Sequence, residues 1–206
     1  MTTEEEMVAE SRFGMTELDE LPEDLRERVG VIARKSGFVP NICRALGHRP
    51  AELRAFLDYH DALMERQEGL TKAERELVVV ATSGANHCPY CVVAHGAILR
   101  IRSKDPHLAD RVAVNPWRAE LDERRRAIVD LALSLARRPE LFGEADVARA
   151  RDAGLTDDEI WDVGAITALF AASNRLAHLA GLRPNPEFYL MGRDRGGEGG
   201  HDGPRP

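Results

Sequence analysis

The sequence predicts an all-α chain. Apolar residues recur at helical spacing in successive segments, no comparable run alternates with period two, and two stretches that open with the same helix-start signal repeat 85 residues apart. With 206 residues, 43% of them hydrophobic and 31% charged, the chain is long enough to bury a core without disulfide or metal staples and too apolar to be largely disordered.

Residues 1–15 are acidic and lack a periodic pattern, so they read as a flexible tail. A first helix follows from Leu25, Val29 and Ile32. A second carries Leu53, Phe56, Leu57 and Met64, with Pro50 suited to its opening position. Helices are then expected over 72–85 and 88–101, joined by a turn at Gly84, Ala85 and Asn86. Ile128, Leu131 and Leu135 mark another helix after Asp122, and Val147 with Ala150 mark one that Gly154 ends. The Gly- and charge-rich stretch 193–206 reads as a second flexible tail, leaving one all-helical domain over 16–192.

The repeated stretches are LTKAERELVVVATSGANHC and LTDDEIWDVGAITALFAAS. In each, Thr-x-x-Glu (Thr71 with Glu74, Thr156 with Glu159) is a capping box, in which the Thr side chain accepts from the third helical N–H and the Glu reaches back. The first copy, within about 50–102, carries Glu76, Cys88, Cys91 and His95. The second, within about 122–181, has Trp161, Ser173, Leu176 and Ala180 at those places, so the chemistry is expected in the first.

A net charge of −7 and a pI of about 5.6 offer no broad attraction for phosphate backbones, which argues against nucleic acid as a partner. No stretch approaches the ~18 apolar residues of a membrane span, and the acidic start is unlike a signal peptide, so a cytoplasmic protein is expected. Its three cysteines, Cys43, Cys88 and Cys91, are too few for a disulfide framework and suit metal or redox use in a reducing compartment.

The run NHCPYCVVAHG, residues 86–96, combines Cys-x-x-Cys with a His four residues on. Pro89 suits a first helical turn, placing Cys88 at the cap, where unpaired N–H groups and the helix dipole favour thiolate. Cys88, Cys91 and His95 then share one face. If helices 72–85 and 88–101 form a hairpin, Glu76 and His95 lie equidistant from the turn and therefore level, since both helices rise ~1.5 Å per residue. A carboxylate holding one imidazole nitrogen raises the basicity of the other, as a proton relay requires. Spacing alone does not decide which cysteine attacks; the dipole argument favours Cys88.

Glu76, eleven intervening residues, Cys88-x-x-Cys91 and three more to His95 resemble the motif of the alkylhydroperoxidase D-like branch of the carboxymuconolactone decarboxylase superfamily, and the context LVVVATSGANHCPYCVVAHGAILR resembles its peroxidase-related members. The likeness extends through FVPNICRALGHRP (38–50) and LFAASNRLAHLAGLRPNPEF (169–188), or roughly residues 18–193. It implies a helical bundle, an obligate homo-oligomer (dimer, trimer or hexamer) and antioxidant reduction of hydrogen peroxide or organic hydroperoxides. It implies Cys91 as the peroxidatic cysteine that becomes a sulfenic acid, Cys88 as proton donor and resolving partner in a redox-active disulfide, and Glu76 with His95 as the relay. No resident cofactor or metal is expected, only an external dithiol or lipoyl-bearing protein as reductant. The family's own enzyme has a further histidine between the cysteines; here Pro89 and Tyr90 fill that gap and His87 precedes it.

Other readings remain. Cys88, Cys91 and His95 supply three ligands for zinc but no fourth at finger-like spacing. A lactone-acid decarboxylase of the same superfamily would lack the cysteine pair, and a non-catalytic redox- or zinc-responsive oligomer would use the pair without turnover. Cys43 reads as a small buried hydrophobe, and Arg124, Arg125 and Arg126 as a solvated helix face. His48, His60, His107 and His178 have no partner at readable spacing. The all-round apolar LVVVA run marks a helix in a large interior or at a subunit contact.

Overall fold

A computed structural model describes residues 11–193, and among them the chain forms nine α-helices and no strand. These are α1 (Glu23–Ser36), α2 (Asn41–Leu46), α3 (Pro50–Met64), α4 (Lys72–Ala85), α5 (Pro89–Ser103), α6 (Leu108–Val114), α7 (Glu123–Arg137), α8 (Glu144–Asp152) and α9 (Asp157–Ala180). None of them is long and apolar enough to cross a membrane.

The caps follow the sequence signals. Thr71 and Thr156 each accept from the N–H of the Glu three residues on, and each Glu bonds back to the cap. Such a cap is worth about 1 kcal/mol. Asp122 caps α7 through the Arg125 N–H, and Pro50 stands at the first turn of α3.

Helix α4 is the hub, packing against α5, α6, α7 and α9. Every residue from Glu74 to Ser83 is buried. Val78 and Val79 join a core with Ile128, Ile166 and Phe170, while Leu77 and Val80 face Leu99, Leu108 and Val112. Each such side chain contributes about 1.5–3 kcal/mol by leaving water. The apolar LVVVA run is thus enclosed by the chain's own helices, and of the two origins that its composition left open it has the interior one. At the end of α4 a Cβ on Gly84 would lie 3.1 Å from the Ala113 carbonyl oxygen, so any larger residue would press α6 away by a few tenths of an ångström.

Two sequence expectations need correction at the edges. Ser11–Met15 are not loose: the Arg12 N–H donates to the Ala180 carbonyl at 2.7 Å, its guanidinium donates to the His178 and Leu179 carbonyls, and Met15 packs into the core. Arg193, likewise assigned to a tail, pairs with Asp110 at 2.8 Å. The rest of both expected tails lies outside the described residues.

The arginine run is not simply solvated either. Arg124 turns inward to Glu74 and Glu159, and Arg126 donates to the Pro116 and Ala119 carbonyls. The Arg124 ties join segments 35 and 50 residues apart, which helical periodicity does not register.

Candidate active site

The site exists because one helix stops where its counterpart continues. Helix α9 runs unbroken for 24 residues, whereas the corresponding path in the first copy breaks after Ala85 and restarts at Pro89. The break is a Schellman closure: the Cys88 N–H bonds to the Ser83 carbonyl at 2.9 Å and the His87 N–H to Gly84 at 3.1 Å. His87 occupies the left-handed position, φ 52°, which a non-glycine residue holds at a cost of about 1–2 kcal/mol. Cys88 is left as the N-cap of α5 in extended backbone, with Pro89 next, where a missing N–H loses nothing.

Cys88 and Cys91 are both 1% exposed, and both are free thiols. The Cys91 thiol donates to the Cys88 sulfur, which is the largest influence on either group. That donation, with the Cys91 backbone N–H, the His178 charge and the Asn174 side chain, outweighs burial and lowers the Cys88 pKa to about 6. Cys91, being the donor and buried, is pushed well above the ordinary thiol range. Of the two, Cys88 is the thiol whose ionisation the surroundings favour, in line with the dipole argument. Cys43 is buried apart from the pair among Leu21, Leu25 and Leu53, and burial pushes its thiol up to about 12.

Level placement across the hairpin brings Glu76 and His95 together: the imidazole Nδ1–H donates to Glu76 Oε2 at 2.8 Å. This sets the tautomer, leaving Nε2 as the acceptor. Phe170 packs edge-on to the His95 ring at 4.6 Å, and His60 of α3 lies 6.4 Å away. His87, by contrast, serves the backbone turn.

The sequence had not singled out the residues that wall the site, and α9 supplies most of them. Ser173 Oγ stands 3.9 Å from Cys91 Sγ. The Asn174 amide donates to Ser83 Oγ and accepts from the Asn86 side chain, both at 3.0 Å, and its side chain also reaches the two sulfurs. His178 donates from Nε2 to the Asn86 carbonyl at 3.0 Å. Their one sequence signal is the 85-residue offset, which aligns Ser173 with Cys88. A cavity of about 260 Å³ opens over Cys88 between Arg12, His178 and Arg183, and Cys91 is not part of its lining. Among the described residues no three His, Cys, Asp or Glu side chains are grouped so as to hold a metal ion.

A model of the carboxymuconolactone decarboxylase family matches residues 50–113, which span α3 to α6 and hold all four candidate site residues. No curated protein matches the chain significantly. Among solved structures, the chain is similar to a peroxidase-related protein of Ralstonia eutropha JMP134 with the alkylhydroperoxidase AhpD core. The two share 54% identity over 89% of this chain and 96% of that one, with a TM-score of 0.87. A peroxidase-related protein of Silicibacter sp. TM1040 shares 34% identity over 88% and 97% of the two chains, with a TM-score of 0.82. The debrominase Bmp8, at 15% identity over 88% and 96% and a TM-score of 0.74, shares the fold. With its motif, its all-helical architecture and these relatives in agreement, the chain belongs to the alkylhydroperoxidase D-like group of the carboxymuconolactone decarboxylase superfamily.

Proposed function

We propose that the chain is a thiol-dependent peroxidase that reduces hydrogen peroxide or organic hydroperoxides through Cys88 and Cys91. The observation that carries this reading is the 2.8 Å hydrogen bond from His95 to Glu76, on the helix whose start holds two buried thiols in contact with one another. In the proposed cycle Cys91 passes its proton to the Cys88 thiolate and attacks the peroxide. The O–O bond breaks, Cys91 becomes a sulfenic acid, and the departing alkoxide takes the proton from Cys88. The regenerated Cys88 thiolate attacks the Cys91 sulfur, and hydroxide leaves as water with a proton delivered through His95 and Glu76. An external dithiol returns the disulfide to two thiols. The expected homo-oligomer belongs to the same reading and is supported by exposed Trp161, at 75%, and Leu190, at 69%.

The lowered pKa of Cys88 and the cavity over it favour a second order of events, in which Cys88 attacks and Cys91 donates the proton and resolves. Peroxide turnover with a dithiol, measured for wild type beside Cys91→Ser, tests the function: activity in the first and none in the second is expected, and an inactive wild type refutes it. Dimedone trapping separates the two orders. An adduct on Cys91 in Cys88→Ser supports the first, and one on Cys88 in Cys91→Ser the second.

A further inference from the structure

The cavity over Cys88 differs in charge from the rest of the molecule. The chain carries a net −7, yet the nine residues lining this space include Arg12, His178 and Arg183 and no carboxylate. Neither Arg12 nor Arg183 has a carboxylate partner among the described residues, whereas Arg28, Arg75 and Arg124 are salt-bridged. Arg12 is held in place by donating from one guanidinium nitrogen to the His178 and Leu179 carbonyls, the negative end of α9. That contact offsets the negative end of the helix dipole at the rim. Pro89, Ala177, Leu182 and Pro184 make the remaining wall mostly apolar. The result is a space with a sulfur at one side, apolar walls and two guanidinium groups without a carboxylate partner among the described residues, planar donors suited to a carboxylate.

We propose that this cavity is the reductant site and that it selects a small thiol bearing a carboxylate, gripped by Arg183 and Arg12 while the thiol meets Cys88. The inference rests on the peroxidase reading for its chemistry. The reductant thiolate attacks Cys88 Sγ of the oxidised pair, the Cys88–Cys91 bond breaks, and Cys91 leaves as thiolate and takes a proton. The second thiol of the reductant then attacks its own sulfur in the mixed disulfide and frees Cys88 as thiolate. Two electrons pass from reductant to protein, and the reductant leaves as a disulfide.

Two charge-matched probe pairs test it. In turnover at fixed tert-butyl hydroperoxide, dihydrolipoate and its neutral amide dihydrolipoamide differ only at the carboxylate. We expect kcat/KM about tenfold higher for the acid, a preference that shrinks with salt, and Arg183→Gln and Arg12→Gln to lower the acid's rate several-fold more than the amide's. Equal rates for acid and amide overturn the inference and leave the peroxidase reading intact. If the preference falls on the peroxide instead, linoleate hydroperoxide over its methyl ester at fixed dihydrolipoamide, the carboxylate site serves the oxidant and the inference is also overturned. The second pair needs no turnover, so it decides the matter even if the protein reduces no peroxide. In a Cys43→Ser background, iodoacetate relative to iodoacetamide should alkylate Cys88 several-fold faster than it does a free small thiol, and Arg183→Gln should abolish that gain. An unchanged ratio overturns the inference.

Discussion

Thr82 and Thr167 touch side chain to side chain at 3.4 Å, and each is the other's counterpart at the 85-residue offset that relates the two like segments. Contact between equivalent residues means that α4 and α9 cross on the axis that relates them. The same relation holds at their starts, where Arg124 binds Glu74 at 2.7 Å and Glu159 at 2.6 Å, so one guanidinium joins the two capping boxes. It also holds Glu159 below the usual carboxylate range. The helix that bears Glu76 is thereby fixed in register against its counterpart.

A buried ion pair sets the floor of this crossing. Arg75 is fully buried, donates to the Leu63, Glu68 and Leu70 carbonyls, and pairs with Asp162 at 3.0 Å. Asp162→Ala should lower the unfolding free energy by about 3–5 kcal/mol, because it strands a desolvated cation. Urea denaturation checks this; a loss below about 1 kcal/mol would mean that the three carbonyls suffice.

Cys88 should react as a thiolate from mildly acidic pH upward. Alkylation by iodoacetamide, followed at Cys88 by peptide mapping, should reach half its plateau near pH 6, as its lowered pKa requires. Cys91→Ala removes the largest cause of the shift and should move that midpoint upward. A depressed acid pKa stabilises the fold fully above the ordinary 9.0 and loses that contribution as pH falls through about 6. Thermal midpoints should therefore fall between pH 8 and 5 more steeply in wild type than in Cys88→Ser.

Loss of the relay should slow turnover without loosening the fold. Glu76→Gln and His95→Asn should each lower peroxide reduction by ~10²-fold or more, and the double variant should be little worse than either. Fully additive losses in steady-state assays would show that the two act separately.

Thiol counting tests the pairing. Reduced, denatured protein should titrate three thiols, and protein given one equivalent of peroxide should titrate one, since Cys43 lies in another cluster. Cys43→Ser should keep the peroxide response. Three thiols after oxidation would remove the dithiol cycle.

What the sequence made legible was local or equidistant. Glu76 and His95 could be paired from their numbers because two antiparallel helices rise equally from a shared turn, and Cys88 could be placed at a cap because Pro89 tolerates only a first turn. The second wall of the site was not legible. Asn174, Ser173 and His178 act on the sulfurs only because α9 lies across α4, and Arg12 reaches the cavity over Cys88 only because the start of the described chain is pinned to the end of α9. Such contacts join residues more than 80 positions apart and leave no periodic trace. The direction of the shared proton, from Cys91 to Cys88, likewise depends on which sulfur the surrounding donors face.

The uninterrupted helix α9 has a consequence for how this molecule came to tolerate its own reactive centre. The segment without cysteines is not idle: Phe170, Ser173, Asn174 and His178, all from α9, pack on the imidazole edge, touch one sulfur, hydrogen-bond to both and act electrostatically on the other. The two like segments thus divide labour, one supplying reagents and the other their container. A chain of half this length would have to borrow the α9 wall from another molecule, whereas here both segments are synthesised together in a fixed ratio, so the cysteines and the side chains around them always come in equal number.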